Sequence, residues 1–271
     1  MKVCVVLLRI LDQIQMFCFH SQHYRMNFKQ HSDLVQEWLL NLFHSLYWKI
    51  MKHLTATQHN CDFMSDPRFQ HAYGLGKSTG SWGESEIPWR MHVMFWAAEQ
   101  ALRLEGDFVE CGVNRGGFAY SIINYLDFTE SGKNFWLLDT FNGLVEEYVS
   151  AEEKQRSIHT HHQYTECYEA VKQTFAPYPQ VKIIRGMVPD TLPQANTEKV
   201  AYLSIDMNCV LPEIAAAEYF WDKMVPGGLI VLDDYGWALH IAQKHAFDIF
   251  AQERNVSILG LPTGQAIIMK P

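Results

Sequence analysis

The sequence has no cluster of basic residues. Its 271 residues include 22 lysines and arginines against 30 aspartates and glutamates, which gives a formal charge of −8. Proteins that bind nucleic acid through its phosphates need grouped lysines and arginines. We therefore expect no nucleic-acid partner.

Cysteines are few and follow no pairing pattern. The six of them are scattered along the chain without any C-x-x-C pair, which favours neither a zinc site nor a disulfide framework. Cys111 and Cys209 fall at the ends of predicted strands, where a small apolar thiol packs well. The pattern suits a reducing compartment, and we expect a cytoplasmic protein.

Long hydrophobic runs are absent as well, whereas a membrane-spanning helix takes about 20 apolar residues. The N-terminal run Val3–Leu8 is short, Arg9 interrupts it, and no small-residue cleavage site follows. These features argue against a signal peptide. Because hydrophobic residues still make up 48% of the chain, we expect a soluble protein with a substantial core and no membrane partner.

Residues 1–88 are predicted to form a helical extension that ends in a lid-like loop. The helical part reaches to about residue 60, and residues 62–88 are rich in glycine, serine, aspartate and proline, which is typical of a long loop. This loop contains GLGKST. The first glycine of a phosphate-binding P-loop is missing there, because His71 occupies its position and no strand precedes it.

Strands and helices alternate over residues 89–271, which we take as one α/β domain. The predicted strands are 107–111, 134–139, 181–184, 200–206 and 228–232. The predicted helices are 89–104, 117–126, 165–175, 213–224 and 238–254. The apolar stripe predicted for the last helix consists of Leu239, Ala242, Ala246, Ile249 and Phe250.

The C-terminal end is predicted to be a β-hairpin made of residues 256–260 and 265–270. Five strand–helix units followed by a hairpin predict an α/β fold, a mostly parallel sheet with one antiparallel strand at or near its edge. A plain dinucleotide-binding fold would add another helical crossover instead. Ligands of such sheets bind beyond the carboxyl ends of the strands, so candidate site residues are sought there.

The first predicted strand ends in ECGVNRGG, Glu110–Gly117. Glycines in this turn allow close approach of a ligand to the backbone and to the free N–H groups of the next helix. The spacing is not the full G-x-G-x-x-G, and Glu110 would repel a pyrophosphate. The acid suits a ligand with an ammonium or sulfonium group better. A tight structural turn would need only one of the glycines and would leave Glu110 unexplained.

The second predicted strand ends in Asp139, followed by Thr140 and Phe141. A carboxylate at this position can accept hydrogen bonds from two ribose hydroxyls. The alternative is a turn that Asp139 caps. The neighbouring ECGVNRGG turn favours the nucleoside interpretation.

Three more carboxylates follow the fourth and fifth predicted strands: Asp206, Asp233 and Asp234. If these strands are neighbours, three unpaired acids would raise one another's pKa, and a divalent cation would relieve the repulsion. An all-oxygen set favours Mg²⁺ over zinc, and Asn208 offers a fourth oxygen. Capping of the next helix would occupy one of the adjacent pair but would not explain Asp206.

The chain has 13 histidines, so most of them are bystanders. We expect His159, His161 and His162 to lie on a loop surface. His240 and His245 lie on the helix that follows the aspartate pair, and each is a candidate general base because imidazole titrates near neutrality. Each is equally open to a structural role.

Five segments resemble, in the same order, the S-adenosylmethionine-dependent O-methyltransferases of the macrocin type, which methylate sugar hydroxyls of macrolide antibiotics. The segments are FVECGVNRGG, LLDTFNGL, GMVPDTLP, SIDMN and GGLIVLDDYG. The likeness runs from about Trp89 to Lys270 and implies a class I methyltransferase fold, which is Rossmann-like, with seven strands, the last antiparallel, and helices on both faces. After Gly236, where Trp237 begins a histidine-rich stretch, the chain departs from this family.

The resemblance also implies roles for individual residues. Glu110, Gly112 and Gly116 would surround the methionine part of S-adenosylmethionine, and Asp139 would hold its ribose. Around the adenine, the resemblance places Gly186 and Met187. The wider cofactor set includes Asn114, Arg115, Gly117, Thr140 and Phe141, and the Mg²⁺ ligands would be Asp206, Asp233 and Asp234.

The function predicted is a Mg²⁺-assisted methyl transfer to a hydroxyl of a small molecule, a sugar or another natural product. Candidate catalytic residues are Asp206, His240 and His245. A nicotinamide-dependent oxidoreductase and an inert binding module are the alternatives. The first should carry G-x-G-x-x-G, which is missing from the sequence. The second should show a damaged acid set, whereas every acid is present. A homodimer is also expected.

Overall fold

The computed structural model describes residues 60–155 and 164–271. The predicted N-terminal helices and the loop histidines His159, His161 and His162 lie outside the described residues. One unit of the chain spans Thr55–Pro271.

A seven-stranded sheet forms the centre of this unit, in the order β3–β2–β1–β4–β5–β7–β6. The strands are β1 Asp107–Cys111, β2 Phe135–Asp139, β3 Val181–Arg185, β4 Val200–Ile205, β5 Met224–Leu232, β6 Ile258–Gly260 and β7 Ala266–Met269. The pairs among β1 to β5 are parallel, and β7 runs antiparallel to both β5 and β6. The predicted fold class, including the antiparallel last strand, is confirmed.

Seven α-helices are present among the described residues. They are α1 Pro67–Ser78, α2 Pro88–Leu102, α3 Gly117–Leu126, α4 Ala151–Gln155, α5 Tyr168–Phe175, α6 Val210–Trp221 and α7 Ile241–Glu253. Short 3₁₀ turns connect several of them.

Helices cover both faces of the sheet because successive strand residues point to opposite sides. In β1, Phe108 belongs to the core shared with α1, α2 and α3. Its neighbour Val109 belongs to the other core, which contains Phe220 of α6 and Phe247 of α7. All six residues of β4 are buried, as expected for a central parallel strand.

The prediction of a continuous loop over residues 62–88 was wrong, because Pro67–Ser78 is a helix. The Asp66 side chain caps it by accepting a hydrogen bond from the Arg68 N–H at 2.8 Å, and Pro67 suits the first helical position. Gly76 is buried where α1 packs against α3. The GLGKST segment is therefore mostly helix. Asp62–Ser65 forms a 3₁₀ turn, and residues 79–87 form the longest irregular part of the predicted loop.

The apolar stripe predicted for α7 was also wrong. Leu239 and Ile249 are 44% and 57% exposed, and the buried positions of α7 are Gln243, Phe247, Phe250 and Ala251. The stripe is rotated because a polar residue, Gln243, faces the protein interior. No helix in the two described ranges is long and apolar enough to cross a membrane.

Candidate active site

Three aspartates meet at the carboxyl edge of the sheet. Strands β4 and β5 are neighbours, with Ile205 paired to Leu232, so the residues that follow them emerge side by side. The Asp233 N–H donates to the Ile205 carbonyl at 3.1 Å. One carboxylate oxygen from each of Asp206, Asp233 and Asp234 lies within 4.8 Å of the others. The sequence prediction that these acids come together is confirmed.

The electrostatics of this cluster centre on Asp206. Loss of solvation by burial and the negative charge of Asp234 raise the pKa of Asp206 to about 7, although Arg90 acts in the opposite direction. A group with this pKa exchanges a proton near neutral pH. The surroundings therefore disfavour a third full negative charge unless a cation shares the site.

Arg90 of α2 supplies one cation to the cluster, and the sequence analysis missed it. Its guanidinium forms an ion pair with Asp233, its Nε donates to Asp233 Oδ1 at 3.2 Å, and its Nη2 lies 3.8 Å from Asp234 Oδ1. Asp233 Oδ1 also accepts from Gln265 Nε2 at 3.1 Å. The expectation of three unpaired acids was thus wrong for Asp233. A sequence signal existed, because an arginine in the first helical turn opposes the helix dipole.

Asn208 presents its amide nitrogen to the cluster. Its Nδ2 donates to Asp206 Oδ1 at 3.1 Å and to the Tyr164 hydroxyl at 3.3 Å. A carboxylate accepts but does not donate, which explains why the nitrogen faces Asp206. In this arrangement Asn208 orients Asp206, and the expectation that its oxygen adds a fourth metal ligand does not match the observed contact.

Tyr164 is a second residue that the sequence analysis missed. Burial and the charges of Asp206, Asp234 and Asp139 all raise the pKa of its phenol. Its side chain also packs against Gly143, whose added Cβ would lie 3.1 Å from the Tyr164 Cβ. Tyr164 therefore stands between the aspartate cluster and the end of β2. No local sequence pattern reveals such a position.

The two candidate histidines occupy different environments. His240 is buried, its Nε2 lies 4.0 Å from Asp234 Oδ2, and its Nδ1 lies 2.6 Å from Gln243 Oε1. His245 is exposed. The structure brings His240 to the cluster and turns His245 towards the surface.

Glu110 lies near the same edge, in β1. It is 1% exposed, and neither carboxylate oxygen has a hydrogen-bond partner among the described residues. Burial, with smaller effects from Asp206 and Asp139, raises its pKa well above the usual value. A buried carboxyl group without a donor destabilises a fold, so this position suits a ligand that brings a cation or a proton donor.

The glycines of the ECGVNRGG turn lie against protein atoms. Gly112 has φ +89°, and a Cβ there would lie 1.9 Å from the Asp206 carbonyl oxygen. Gly116 has φ +83°, and its Cβ would lie 2.6 Å from the Phe175 ring. These glycines therefore serve the tight turn and the close packing of strand ends, in addition to any approach of a ligand.

The irregular segment after α1 covers this turn. Ser81 Oγ accepts from the Gly117 N–H at 2.8 Å, and the Ser81 carbonyl accepts from Asn114 Nδ2 at 3.0 Å. Ser81 thus replaces the missing side-chain cap of α3. The Arg115 side chain points elsewhere and donates to Thr165 Oγ1 at 2.9 Å.

Asp139 is already bonded to the backbone around it. Its Oδ2 accepts from the N–H groups of Val113 and Asn114 at 2.6 and 2.7 Å. Its Oδ1 accepts from Phe141 N–H at 2.7 Å and from the Thr140 hydroxyl at 3.3 Å. Asp139 therefore fixes the turns after β1 and β2 to each other, and ribose hydroxyls would have to share these oxygens.

The remaining predicted cofactor residues lie around Asp139. Phe141 has φ +56° and a ring that is 1% exposed, so it belongs to the core. The Gly186 N–H donates to the Asp139 carbonyl at 2.9 Å, and Met187 is 39% exposed. The β3 end thus lies beside the β2 end, as a site for an adenosine requires.

Comparison with known proteins gives a family match over the same region. A protein-family model described as macrocin-O-methyltransferase (TylF) matches residues 89–258. The chain is 30% identical over 140 residues to an 8-demethyl-8-(2,3-dimethoxy-alpha-L-rhamnosyl)-tetracenomycin-C 4'-O-methyltransferase of Streptomyces olivaceus, over 48% of this chain and 53% of that protein. It is 28% identical over 162 residues to a mycinamicin III 3''-O-methyltransferase of Micromonospora griseorubida, over 54% of this chain and 62% of that protein. The chain thus spans about half the length of the curated relatives it matches.

Solved structures share the fold. The O-methyltransferase NovP superposes with a TM-score of 0.63 at 20% identity, over 74% of this chain and 97% of that one. The Podospora anserina methyltransferase PaMTH1, solved with SAH bound, gives a TM-score of 0.50 at 12% identity, over 92% of this chain and 98% of that one. At these identities the likeness concerns the fold alone.

Proposed function

The chain belongs to the macrocin-O-methyltransferase family, and from this premise we propose that it transfers a methyl group from S-adenosylmethionine to a hydroxyl group of a sugar or another natural-product acceptor, with help from Mg²⁺. The observation that carries the proposal is the meeting of Asp206, Asp233 and Asp234 within 4.8 Å at the sheet edge where Glu110 is buried with no hydrogen-bond partner in the described part of the chain. Two of the matched relatives are named for O-methyl transfer, one to a rhamnosyl-bearing tetracenomycin and the other to mycinamicin III.

Glu110 supports the choice of cofactor. A buried carboxylate that lacks donors suits a cationic ligand, and S-adenosylmethionine has an ammonium and a sulfonium group. When bound, this cofactor supplies a methyl group that an oxygen nucleophile can take. The surrounding chain contributes the ends of β1, β2 and β3, which lie side by side and give the site the extent of a nucleoside with an amino-acid tail.

The aspartate cluster supports a magnesium site. Asp206 and Asp234 are the carboxylates least engaged with Arg90, so we assign them as the principal ligands, with Asp233 as the third. Oxygen donors suit Mg²⁺, and a bound cation would oppose the repulsion that raises the pKa of Asp206 to about 7. When bound, Mg²⁺ supplies positive charge that holds a hydroxylated acceptor and makes its hydroxyl more acidic.

Residues of the chain perform the remaining tasks. We assign proton acceptance to His240 rather than His245, because only His240 is buried beside the cluster, 4.0 Å from Asp234. Asp206, with its raised pKa, is the second candidate. Residues 79–82 cover the ECGVNRGG turn and would limit access of water, which favours a reaction in which the sulfonium charge disappears.

Methyl-transfer assays test the proposal. Purified protein is incubated with radiolabelled S-adenosylmethionine and a panel of glycosylated acceptors, with Mg²⁺ or with EDTA. We expect transfer that EDTA abolishes, and a loss of about 100-fold or more in Asp206→Asn. Asp222→Asn, at an exposed position directly after α6, serves as control. Transfer that persists in EDTA would refute the metal assignment alone.

Calorimetry separates the alternatives. Binding of S-adenosylmethionine is expected, whereas binding of a nicotinamide dinucleotide in its place would favour the oxidoreductase. Cofactor binding without transfer to any acceptor would favour the inert module. The cytoplasmic location and the homodimer stay predictions; for the location, the four cysteines in the described part of the chain are free thiols.

A further inference from the structure

A buried hydrogen-bond relay, formed by Met207, Glu213 and Gln243, connects the loop after β4 with His240. The Met207 N–H donates to Glu213 Oε1 at 3.0 Å, and Gln243 Nε2 donates to the same oxygen at 2.9 Å. Gln243 Oε1 lies 2.6 Å from His240 Nδ1. The three residues that take part through their side chains, Glu213, Gln243 and His240, are 4%, 1% and 6% exposed. The relay thus begins next to Asp206 and ends at His240, beside Asp234.

Burial of the Glu213 carboxyl group at this position destabilises the folded state. It forms no ion pair within the described ranges, and burial together with the charges of Asp234 and Asp206 raises its pKa to about 8. Buried acids without a cation destabilise a fold. Its two accepted hydrogen bonds are therefore the feature that needs an explanation.

The directions of the hydrogen bonds along the relay follow from one fixed donor, the backbone N–H of Met207. A backbone N–H can only donate, so Glu213 Oε1 is an acceptor towards Met207. The Gln243 amide then turns its nitrogen to this oxygen and its oxygen to His240. An amide oxygen carries no hydrogen, so His240 Nδ1 must be the donor. The reverse amide orientation would need a proton on Oε1, the oxygen to which Met207 already donates. The proton of a neutral Glu213 is instead placed on Oε2, which accepts from neither Met207 nor Gln243.

We propose that Glu213 and Gln243 are positioning residues that fix the tautomer of His240, with hydrogen on Nδ1 and with Nε2 directed at the aspartate cluster. Neutral imidazole has one N–H nitrogen and one acceptor nitrogen, and the partner of the first decides which nitrogen accepts. The relay makes Nε2 the acceptor nitrogen. Its consequence for catalysis rests on the proposed function, since it is Nε2 that would take the proton of the acceptor hydroxyl.

Nuclear magnetic resonance of the imidazole nitrogens tests the tautomer without any assay of activity. Protein labelled with ¹⁵N-histidine is recorded in a long-range ¹H–¹⁵N experiment, at a pH high enough to make the ring of His240 neutral, and the signal is assigned from the spectrum of His240→Gln. We expect an N–H-type Nδ1 and an acceptor-type Nε2 in the unmodified protein. A ring with its hydrogen on Nε2 would overturn the proposal, whether or not any other variant folds.

Variants of the relay add a second measurement. Gln243→Leu should lose the preference for hydrogen on Nδ1, whereas Gln252→Leu, the same substitution at an exposed position of α7, should keep it. Glu213→Gln should also keep it, because its amide oxygen can still accept from Met207 and Gln243. An unchanged tautomer in folded Gln243→Leu would contradict the relay.

Kinetics then connect the relay to the reaction. In Gln243→Leu we expect kcat to fall about tenfold or more, with the KM for S-adenosylmethionine unchanged, because the loss concerns proton transfer and not cofactor binding. If the tautomer is as proposed and no methyl transfer occurs with any acceptor, the proposed function fails and the relay stands. If transfer occurs and Nε2 carries the hydrogen, the relay fails and the function stands.

Discussion

The guanidinium group of Arg90 forms an ion pair with the carboxylate of Asp233, which follows 143 positions later in the chain. The side chains are 14% and 3% exposed, so the pair is largely shielded from water. It ties the first turn of α2 to the end of β5. Arg90 thereby neutralises the charge of one of the three aspartates. The negative charges of Asp206 and Asp234 are less fully balanced by a nearby cation.

The first prediction concerns this pair. Arg90→Met leaves a buried carboxylate that still accepts a hydrogen bond from Gln265 but has lost its ion pair, and we expect the free energy of unfolding to fall by about 3–5 kcal/mol without metal. Added Mg²⁺ should then stabilise the variant more than the unmodified protein, because a competing cation is gone. Urea unfolding with and without Mg²⁺ measures both effects.

The control for Arg90 is Lys172→Met, which breaks the exposed pair of Lys172 with Glu169. It should cost no more than about 1 kcal/mol and leave the effect of Mg²⁺ unchanged. Equal stabilisation of Arg90→Met and the unmodified protein by Mg²⁺ would contradict a metal site beside Asp233.

The second prediction concerns Glu110. Since its pKa is raised in the folded protein, the charged form destabilises the fold, and the isosteric Glu110→Gln should raise the melting temperature of the ligand-free protein. The same change should weaken binding of S-adenosylmethionine by about tenfold or more, because a charge-assisted contact worth about 1.5–3 kcal/mol is lost. Calorimetry and thermal unfolding measure the two effects.

Exposed Glu169→Gln provides the matched change for Glu110 and should alter neither quantity. A Glu110→Gln variant that is less stable and binds the cofactor normally would show that the carboxylate serves the fold and not the ligand.

The third prediction tests the packing of α1, where two glycines on one helix differ in their surroundings. A Cβ on Gly76 would lie 1.9 Å from Ser121 Oγ and 2.6 Å from the Gly117 carbonyl, whereas a Cβ on Gly74 would meet nothing within 4 Å. Alanine favours a helix over glycine by about 1 kcal/mol. We therefore expect Gly74→Ala to stabilise the protein by up to that amount.

Gly76→Ala should instead destabilise the protein by about 1–3 kcal/mol, because α1 must move away from α3. Denaturant unfolding of both variants measures the difference. A stabilising Gly76→Ala would mean that α1 does not pack against α3 as described.

The fourth prediction is a pH dependence. The pKa of Glu213 is raised from 4.5 to about 8, so the folded state holds this proton more tightly than the unfolded state does. Its contribution to the free energy of unfolding is therefore present at low pH and is lost as the pH rises through about 8. In Glu213→Gln, the melting temperature should fall less between about pH 5 and about pH 9 than in the unmodified protein.

Glu218→Gln, an exposed change on the same helix, should reproduce the pH profile of the unmodified protein. Parallel profiles for Glu213→Gln and the unmodified protein would mean that Glu213 is not the buried, uncompensated acid described here.

Part of the molecule could be read from local patterns. Short apolar runs that end in an acid, such as those before Asp139 and Asp233, predicted the strands and placed their acids at one edge, because parallel strands end together. The terminal hairpin predicted the antiparallel strand. The helix of residues 67–78 was missed since its glycines and polar residues resemble a loop, although Asp66-Pro67 is a helix start.

What the sequence determined by itself is the alternation of strands and helices and the identity of the acids at the strand ends, because these depend on hydrophobic period and turn chemistry within short windows. What only the tertiary structure decided is which group contacts each acid: Arg90 contacts Asp233, Asn208 contacts Asp206, and Glu110 has no donor within residues 60–155 and 164–271. Arg90 lies 143 positions from Asp233, and which residues meet over such a separation depends on how the helices pack on the sheet. Asn208 is only two positions from Asp206, but the direction in which its amide turns also depends on the surrounding structure.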